Sequence, residues 1–313
     1  MLKRHELLDG RLVETGDEQS PILVYLNPDE TERRYLTSEL KLDEHTLNSA
    51  LDPDELSRLE FEPDHVAAIF KRPKYYCADD NFLFRVSSAG AFLFKNRLVL
   101  VLSEDVPLFD GGKSFLRLQS LNEVFLKIIY RSIFHFLEHL KVINLIVDQL
   151  EQKLPSAMGN KHLLNLFTLE KSLVYYLNAI NSNGMLIEKL RTAAGKIGFS
   201  AEQVEFLEDM TIENTQCFKQ ADIYSSILAS MMDARASVIN NNLNILMKRL
   251  TVLSLVFLPI NIIASIGGMS EYSQWTHGVH WSISYSLFGL AMMVIGWLTY
   301  LIFRWSGLDQ PAD

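Results

Sequence analysis

Hydrophobic positions along this chain change their rhythm twice. Near the front they come in short blocks bounded by turn residues: Pro21–Leu26 (PILVYL), His65–Phe70 (HVAAIF), Asn81–Ser87 (NFLFRVS) and Gly90–Ser103 (GAFLFKNRLVLVLS). Blocks of this length, rich in Val, Ile, Phe and Tyr, predict strands. Ser88-Ala89-Gly90 is expected to join the last two, and Lys95-Asn96 to fold the final block into a pair. Between the first two blocks, Thr37–Leu59 predicts short helices, with Asp52-Pro53-Asp54-Glu55 as a helix start. From Leu118 the spacing turns helical. Helices are expected over residues 120–154, ended by Pro155, and over 159–194, closing at Gly195 or Gly198. A third begins near Ser200, with Glu202 and Glu205 in its first turns, and meets no Gly or Pro before Pro259. At 1.5 Å per residue it extends roughly 90 Å, and a helix of that length needs neighbours along it.

The last change is to runs without any charge. Leu250–Met269 and Trp281–Phe303 contain no charged residue, and about 20 such residues cross a bilayer as a helix. Trp275, Trp281, Trp297, Tyr300 and Trp305 lie in or near the second run, several where interfacial aromatics sit. The apolar stretch Phe125–Val147 differs. Lys127, Arg131, His135, Glu138, His139 and Lys141 interrupt it at helical spacing, which predicts an amphipathic soluble helix. Lys248 and Arg249 precede the first span and Arg304 follows the second, while the loop between them has no Lys or Arg. The positive-inside rule then places both termini in the cytoplasm and the loop outside, in an inner (plasma) membrane. The expected layout is a cytoplasmic α/β subdomain over 1–115 and a helical subdomain and stalk over 116–248. A first span over 249–270, an external loop over 271–280, a second span over 281–303 and a cytoplasmic tail over 304–313 complete it.

Charge and cysteine usage narrow the function. Three basic and three acidic residues lie from Lys248 onward, so the whole formal charge of −9 belongs to the first 247 residues. An acidic body argues against nucleic acid, whose phosphates need basic patches, and suits a cationic partner. Cys77 and Cys217 have no ligand-spaced His or Cys and read as reduced thiols. The N-terminus shows no signal peptide. Asp110–Ser114 (DGGKS) lacks the first glycine of a phosphate loop and reads as a linker. His45, His65, His135, His139, His162, His277 and His280 form no catalytic constellation, so no enzyme activity and no cofactor are expected.

Along the end of the stalk and the first span, Asn244, Thr251, Ser254, Leu258, Asn261, Ser265 and Gly268 follow one another at steps of 7, 3, 4, 3, 4 and 3, which puts them on one helix face. Polar groups at membrane depth must be paired or wet. Two readings stand: small polar residues that let helices approach and hydrogen-bond, or the lining of a water-filled conduit. Two helices cannot enclose a conduit, so the second reading requires several copies around an axis. Glu271, in the loop, would then form an anionic rim that concentrates cations, or else stand as a single solvated carboxylate. His277 and His280, three apart, are either zinc ligands or interfacial histidines beside Trp275 and Trp281.

These residues resemble a known family. Val256–Tyr272 (VFLPINIIASIGGMSEY) is similar to the signature of the CorA divalent cation transporters, the two-span Gly-x-Asn group, in which an aliphatic-Pro-x-polar run leads into Tyr-Gly-Met-Asn. Gly268-Met269 match, whereas Gly267 stands for the Tyr and Ser270 for the Asn. Leu47–Phe70 and Gly90–Leu102 resemble stretches of the family's cytoplasmic domain. The resemblance implies an α/β N-terminal cytoplasmic domain, long α-helices and two C-terminal transmembrane helices, assembled as a funnel-shaped homopentamer in the lipid bilayer. The transported cation would be Mg²⁺, Co²⁺ or Ni²⁺, with Zn²⁺ in one branch. Carried over by position, Asn244, Met247, Leu250, Leu258, Asn261 and Ser265 would line the pore with Thr251 and Ser254. Gly268, Met269 and Ser270, next to Glu271, would form the outer entrance. Asp209 would be a regulatory metal ligand between subunits, with Asp79 or Asp80 as its partner. Uptake would follow the membrane potential, and Leu250 and Leu258 would close the pore by dewetting. A zinc transporter, proton-coupled or not, and a membrane-anchored sensor that conducts nothing are the alternatives.

Overall fold

The computed structural model describes residues 1–76, 82–105, 109, 118–153 and 160–305. The chain divides into two compact units, Met1–Met232 and Asp233–Asp313. The first is built on a seven-stranded sheet: β1 (Leu2–Leu8), β2 (Arg11–Glu14), β3 (Ile22–Leu26), β4 (Arg58–Phe61), β5 (His65–Pro73), β6 (Val86–Phe94) and β7 (Leu98–Leu102), in the order β2-β1-β3-β7-β6-β5-β4. Pairing is antiparallel except between β3 and β7, where Ile22 faces Leu98 and Leu26 faces Leu102.

Both faces of this sheet are covered, which is why its central strands are apolar without alternation. Leu23, Tyr25, Ala67, Ile69, Val99 and Val101 pack with Leu36 of α1 (Glu30–Ser38), Leu47 of α2 (Glu44–Leu51) and Leu42 from the connection between them. Ile22, Val24, Leu26, Leu98 and Leu100 face the other way, onto α3 (Leu121–Lys153), α4 (Asn160–Thr192) and the start of α6 (Ala201–Gly267). A single turn, α5 (Ala194–Ile197), joins α4 to α6. Asp29 begins α1 with a reciprocal capping box to Glu32. Phe125, Ile129, Phe136, Leu140 and Ile143 are buried in this core, so the Phe125–Val147 run is a soluble amphipathic helix, as its spacing predicts.

Three expectations are corrected. Ser88-Ala89-Gly90 is no joint: β6 runs through it, paired with β5 from His65↔Phe94 to Pro73↔Val86. The serine is satisfied by side-chain bonds, Ser88 Oγ donating to the Asp52 carbonyl and accepting from Lys71 Nζ at 2.9 Å. Residues 82–85 are correspondingly not strand. Asp52 starts no helix; it closes α2, and its carboxylate takes the Asp54 N–H at 2.9 Å in a turn toward β4. There the Arg58 guanidinium is held by Glu55, Glu60 and Ser49. Strands β1, β2 and β4 carry no strand signal in the sequence, because they mix charged and apolar residues.

Residues 77–80, 110–117 and 154–159, which include Cys77, Asp79, Asp80, the DGGKS segment and Pro155, lie outside the described residues. Cys217 is buried, and that burial pushes its thiol up to about 12, an inert structural group.

One buried pair makes the first unit sensitive to acid. His139 Nδ1 and the Tyr176 hydroxyl are 2.6 Å apart, and the His135 ring lies 5.0 Å from that of His139. Burial first, and His135 second, lower the His139 imidazole from 6.5 to about 4. The native state therefore refuses a proton that the unfolded chain takes up near 6.5. The stability is present above that pH and is lost as pH falls toward 4. Between pH 7.5 and 4.5 the loss is about 2–3 kcal/mol. Thermal midpoints followed by circular dichroism at those two pH values should fall further in the native chain than in His139→Gln.

Candidate functional site

In the second unit α6 continues to Gly267 and is followed by α7 (Ser270–Trp275) and α8 (Trp281–Trp305). Among the described residues, α6 and α8 are the two helices long and apolar enough to cross a membrane, and only 6% of each apolar window is buried by the chain itself. Core helices of a soluble protein would be mostly covered. Two such helices left bare need an apolar solvent, and the chain is a membrane protein. Pro259 lies inside α6. It has no N–H to offer the carbonyl four residues back, which relaxes the helix there.

The side of α6 that meets α8 is set by two contacts: Gly267 lies against Phe288, and Ile260 lies against Gly296. Val252, Val256, Pro259, Ile260, Ile263 and Gly267 are accordingly half-buried or buried. Asn244, Thr251, Ser254, Leu258, Asn261, Ser265 and Gly268 are all exposed. At ~100° per residue the centre of this polar stripe lies about half a turn away from the α8 contact. The hydrogen-bonding role that would make the stripe glue for α8 is thereby removed. Met247 and Leu250, 63% and 64% exposed, border the same face. Asn240, four residues before Asn244, extends it by one turn, beyond the stripe that the spacing predicts.

The hydroxyls along the stripe present acceptors. Thr251 donates its hydroxyl to the Met247 carbonyl at 2.8 Å, Ser254 to Leu250 at 2.9 Å and Ser265 to Asn261 at 2.9 Å. A hydroxyl whose proton is committed to its own helix presents only lone pairs outward. Such lone pairs, with the Asn261 amide oxygen, suit the water hydrogens around a hydrated cation. At the end of α6 the Gly268 N–H bonds the Ala264 carbonyl and the Met269 N–H bonds that of Ile266, each at 3.1 Å. Met269 is 57% exposed, and Ser270 opens α7. The loop expected over 271–280 is thus partly helical. Glu271 belongs to α7, but its side chain is outside the described residues.

The remaining candidates are scattered. Asp209 is exposed on α6 in the first unit, near enough to Tyr130 that, after burial and Glu213, it raises the phenol. Its expected partners Asp79 and Asp80 are not described. His280 Nδ1 lies 3.0 Å from Ser282 Oγ, and the ring stacks on Trp281 at 6.0 Å. His277 donates its backbone N–H to Gln274. No group of three or more His, Cys, Asp and Glu side chains gathers at metal-binding distance among the described residues.

Residues 18–304 match the family model described as CorA-like Mg2+ transporter protein. The cobalt/magnesium transport protein CorA of Methanocaldococcus jannaschii is 25% identical over 260 residues, 78% of each chain. The magnesium transport protein CorA of Escherichia coli is 24% identical over 328 aligned positions, 97% of this chain and 98% of that one. The complete structure of the M. jannaschii CorA magnesium transporter superposes with a TM-score of 0.78 at 21% identity, covering 98% of both chains.

Proposed function

The chain belongs to the CorA-like Mg2+ transporter family, and from that premise we propose that it carries divalent metal cations across a membrane through a path lined by the polar face of α6. One observation carries the reading: that face is exposed and points away from α8, the helix packed on α6 in the second unit. Several copies around an axis, as a homopentamer, would turn the stripes toward one another and enclose water. Met247, Leu250 and Leu258 would be the narrow apolar levels, and Asn244, Thr251, Ser254, Asn261 and Ser265 the wet ones. Gly268, Met269 and Ser270 would form the outer mouth, with Glu271 beside it drawing cations in.

The membrane supplies the work. In an inner membrane, with both termini in the cytoplasm, an inside-negative potential of about 100 mV acts on a divalent ion with roughly 4.6 kcal/mol, twice the single-charge value. Mg²⁺ gives up its water reluctantly, and acceptors that bond to the hydration shell let it pass without doing so. Ser270 reaches less far than an amide, and it is the position at which the choice among Mg²⁺, Co²⁺, Ni²⁺ and Zn²⁺ would be made.

Uptake of each metal into liposomes holding the purified protein tests the reading. Potential-driven uptake of Mg²⁺, Co²⁺ or Ni²⁺ supports it. Uptake of Zn²⁺ alone would make the chain a zinc transporter, with His277 and His280 as the first ligands to replace. No flux of any divalent ion would leave a membrane-anchored sensor. Regulation has its own test. Cytosolic metal held at Asp209 between acidic bodies would favour a closed state by relieving their repulsion. Asp209→Ala should raise the Mg²⁺ concentration that half-inhibits uptake by about tenfold, as loss of one carboxylate ligand implies. An unchanged inhibition curve would remove Asp209 from gating.

A further inference from the structure

Within the second unit, α6 and α8 meet through glycine at two heights. A methyl group on Gly296 would stand 2.9 Å from Ile260 Cδ1. One on Gly267 would stand 2.8 and 2.9 Å from Phe288 Cε1 and Cε2, and closer still to Cζ. Carbon atoms do not approach so closely. At Gly296 the end of the flexible Ile260 side chain can turn aside, but at Gly267 three atoms of the rigid Phe288 ring are met, so that contact exists because α6 offers no side chain there. The two contacts lie on one side of α6 and fix its rotation against α8. The lower one adjoins Asn261. The upper one closes α6, since Gly267 is its last residue.

The backbone after Gly267 is tied to it. Gly268 and Met269 bond back to the carbonyls of Ala264 and Ile266, and Ser270 begins α7 directly afterwards. No slack residue separates the Phe288 seat from the three residues of the mouth. A shift of the Phe288 ring therefore passes into the backbone of Gly268–Ser270 instead of being absorbed by a loop.

We infer that Phe288, although it stands off the ion path on α8, is a positioning residue for metal discrimination: seated against Gly267, it sets the height and rotation of Gly268, Met269 and Ser270. The inference rests on the transport reading above. Sites that recognise ligands by geometry tolerate displacements of only about 0.5 Å, which is less than Gly267→Ala imposes on a ring already in contact. Phe288→Leu shortens the opposing side chain and makes room for the added methyl.

The test is a double-mutant cycle of Gly267→Ala and Phe288→Leu. It is read as the ratio of Mg²⁺ to Co²⁺ uptake and as the half-saturating Mg²⁺ concentration, per amount of assembled protein in liposomes. Gly267→Ala should change both by about threefold or more, and the double variant should return both to within about twofold of native, as coupled neighbours do. A fall in all fluxes at constant ratio would mean that the contact only holds the helices together, and would overturn the inference. A double variant no nearer to native than Gly267→Ala would overturn it too. If the native chain conducts no divalent ion, the transport reading fails first. The positioning claim is then decided by the rate at which an impermeant charged thiol reagent modifies Ser270→Cys. A change of about threefold or more with Gly267→Ala, reversed by Phe288→Leu, supports it, and an unchanged rate contradicts it.

Discussion

Asn261→Leu is expected to reduce divalent-metal uptake by about 100-fold or more without dispersing the assembly. Asn261 is the amide at mid-span, on the face of α6 opposite α8. Around a central axis, a ring of such amides would accept hydrogen bonds from the water carried by the ion. Ordinary hydrogen bonds are worth about 0.5–1.5 kcal/mol each, and losing several at one level raises the barrier by about the ~2.7 kcal/mol that a hundredfold requires. Leucine adds a second loss. With Leu258 one turn below, it would extend a dry apolar level over which water films break. Asn261→Gln keeps the amide and should retain at least about a tenth of the native rate. Size-exclusion profiles in detergent should be the same for all three proteins, because the side chain is exposed on α6, away from the α8 contact. Native-level uptake by the leucine variant would mean that the stripe does not meet the ion.

The second large effect concerns the fold of the first unit rather than the path. β4 pairs with β5 only as far as Arg58↔Ile69. Beyond that point Lys71 would be left with open backbone groups on that edge, and Asn183 of α4 takes the place of the missing strand. Its Oδ1 accepts the Lys71 N–H at 2.8 Å and its Nδ2 donates to the Lys71 carbonyl at 2.8 Å. The Ser57 hydroxyl donates to the same Oδ1, and Ser182 Oγ accepts the Ser57 N–H. Asn183 and Ser182 are at most 1% exposed, so water cannot substitute. Asn183→Leu would strand three buried groups, each costing about 1–3 kcal/mol. A loss of roughly 3–5 kcal/mol is expected, which lowers the thermal midpoint by about 10 °C in a unit of this size. Circular dichroism melts in detergent will show it, and a midpoint within about 2 °C of native would contradict the assignment.

How much of this could be read from the chain depended on whether a signal was local. The two uncharged runs announced the spans, because no other solvent tolerates them. The long helices were legible from their spacing and from the scarcity of breakers, and Pro259 did not stop α6 since a bilayer helix can relax around it. The central strands were legible because both faces are covered. Ser88-Ala89-Gly90 misled because small polar residues in a strand look like a turn until their partners, Asp52 and Lys71, are brought alongside by the fold. Asp52-Pro53 misled for the same reason: a helix stop and a helix start share residue types, and tertiary contacts at Arg58 decided between them.

The site was half legible. The stripe Asn244–Gly268 was visible as a period, but a period does not say what it faces. That required the α8 contact, whose determinants, Gly267 with Phe288 and Gly296 with Ile260, carry no recognisable spacing because each joins residues on different helices. Likewise Ser182 and Asn183 look like ordinary polar residues of a helix until Ser57 and Lys71 arrive from more than 100 positions away.

In the proposed assembly, copies of this chain turn the polar stripe of α6 toward shared water. Nitroxide labels at Asn261→Cys and, for comparison, at the exposed α8 position Leu287→Cys, measured in lipid bilayers, test it most directly. A label at 261 that relaxes with a water-borne nickel chelate and is shielded from dissolved oxygen, beside a label at 287 with the opposite preference, is the predicted result. A label at 261 that responds to oxygen and ignores the chelate would put Asn261 among the acyl chains and contradict the account.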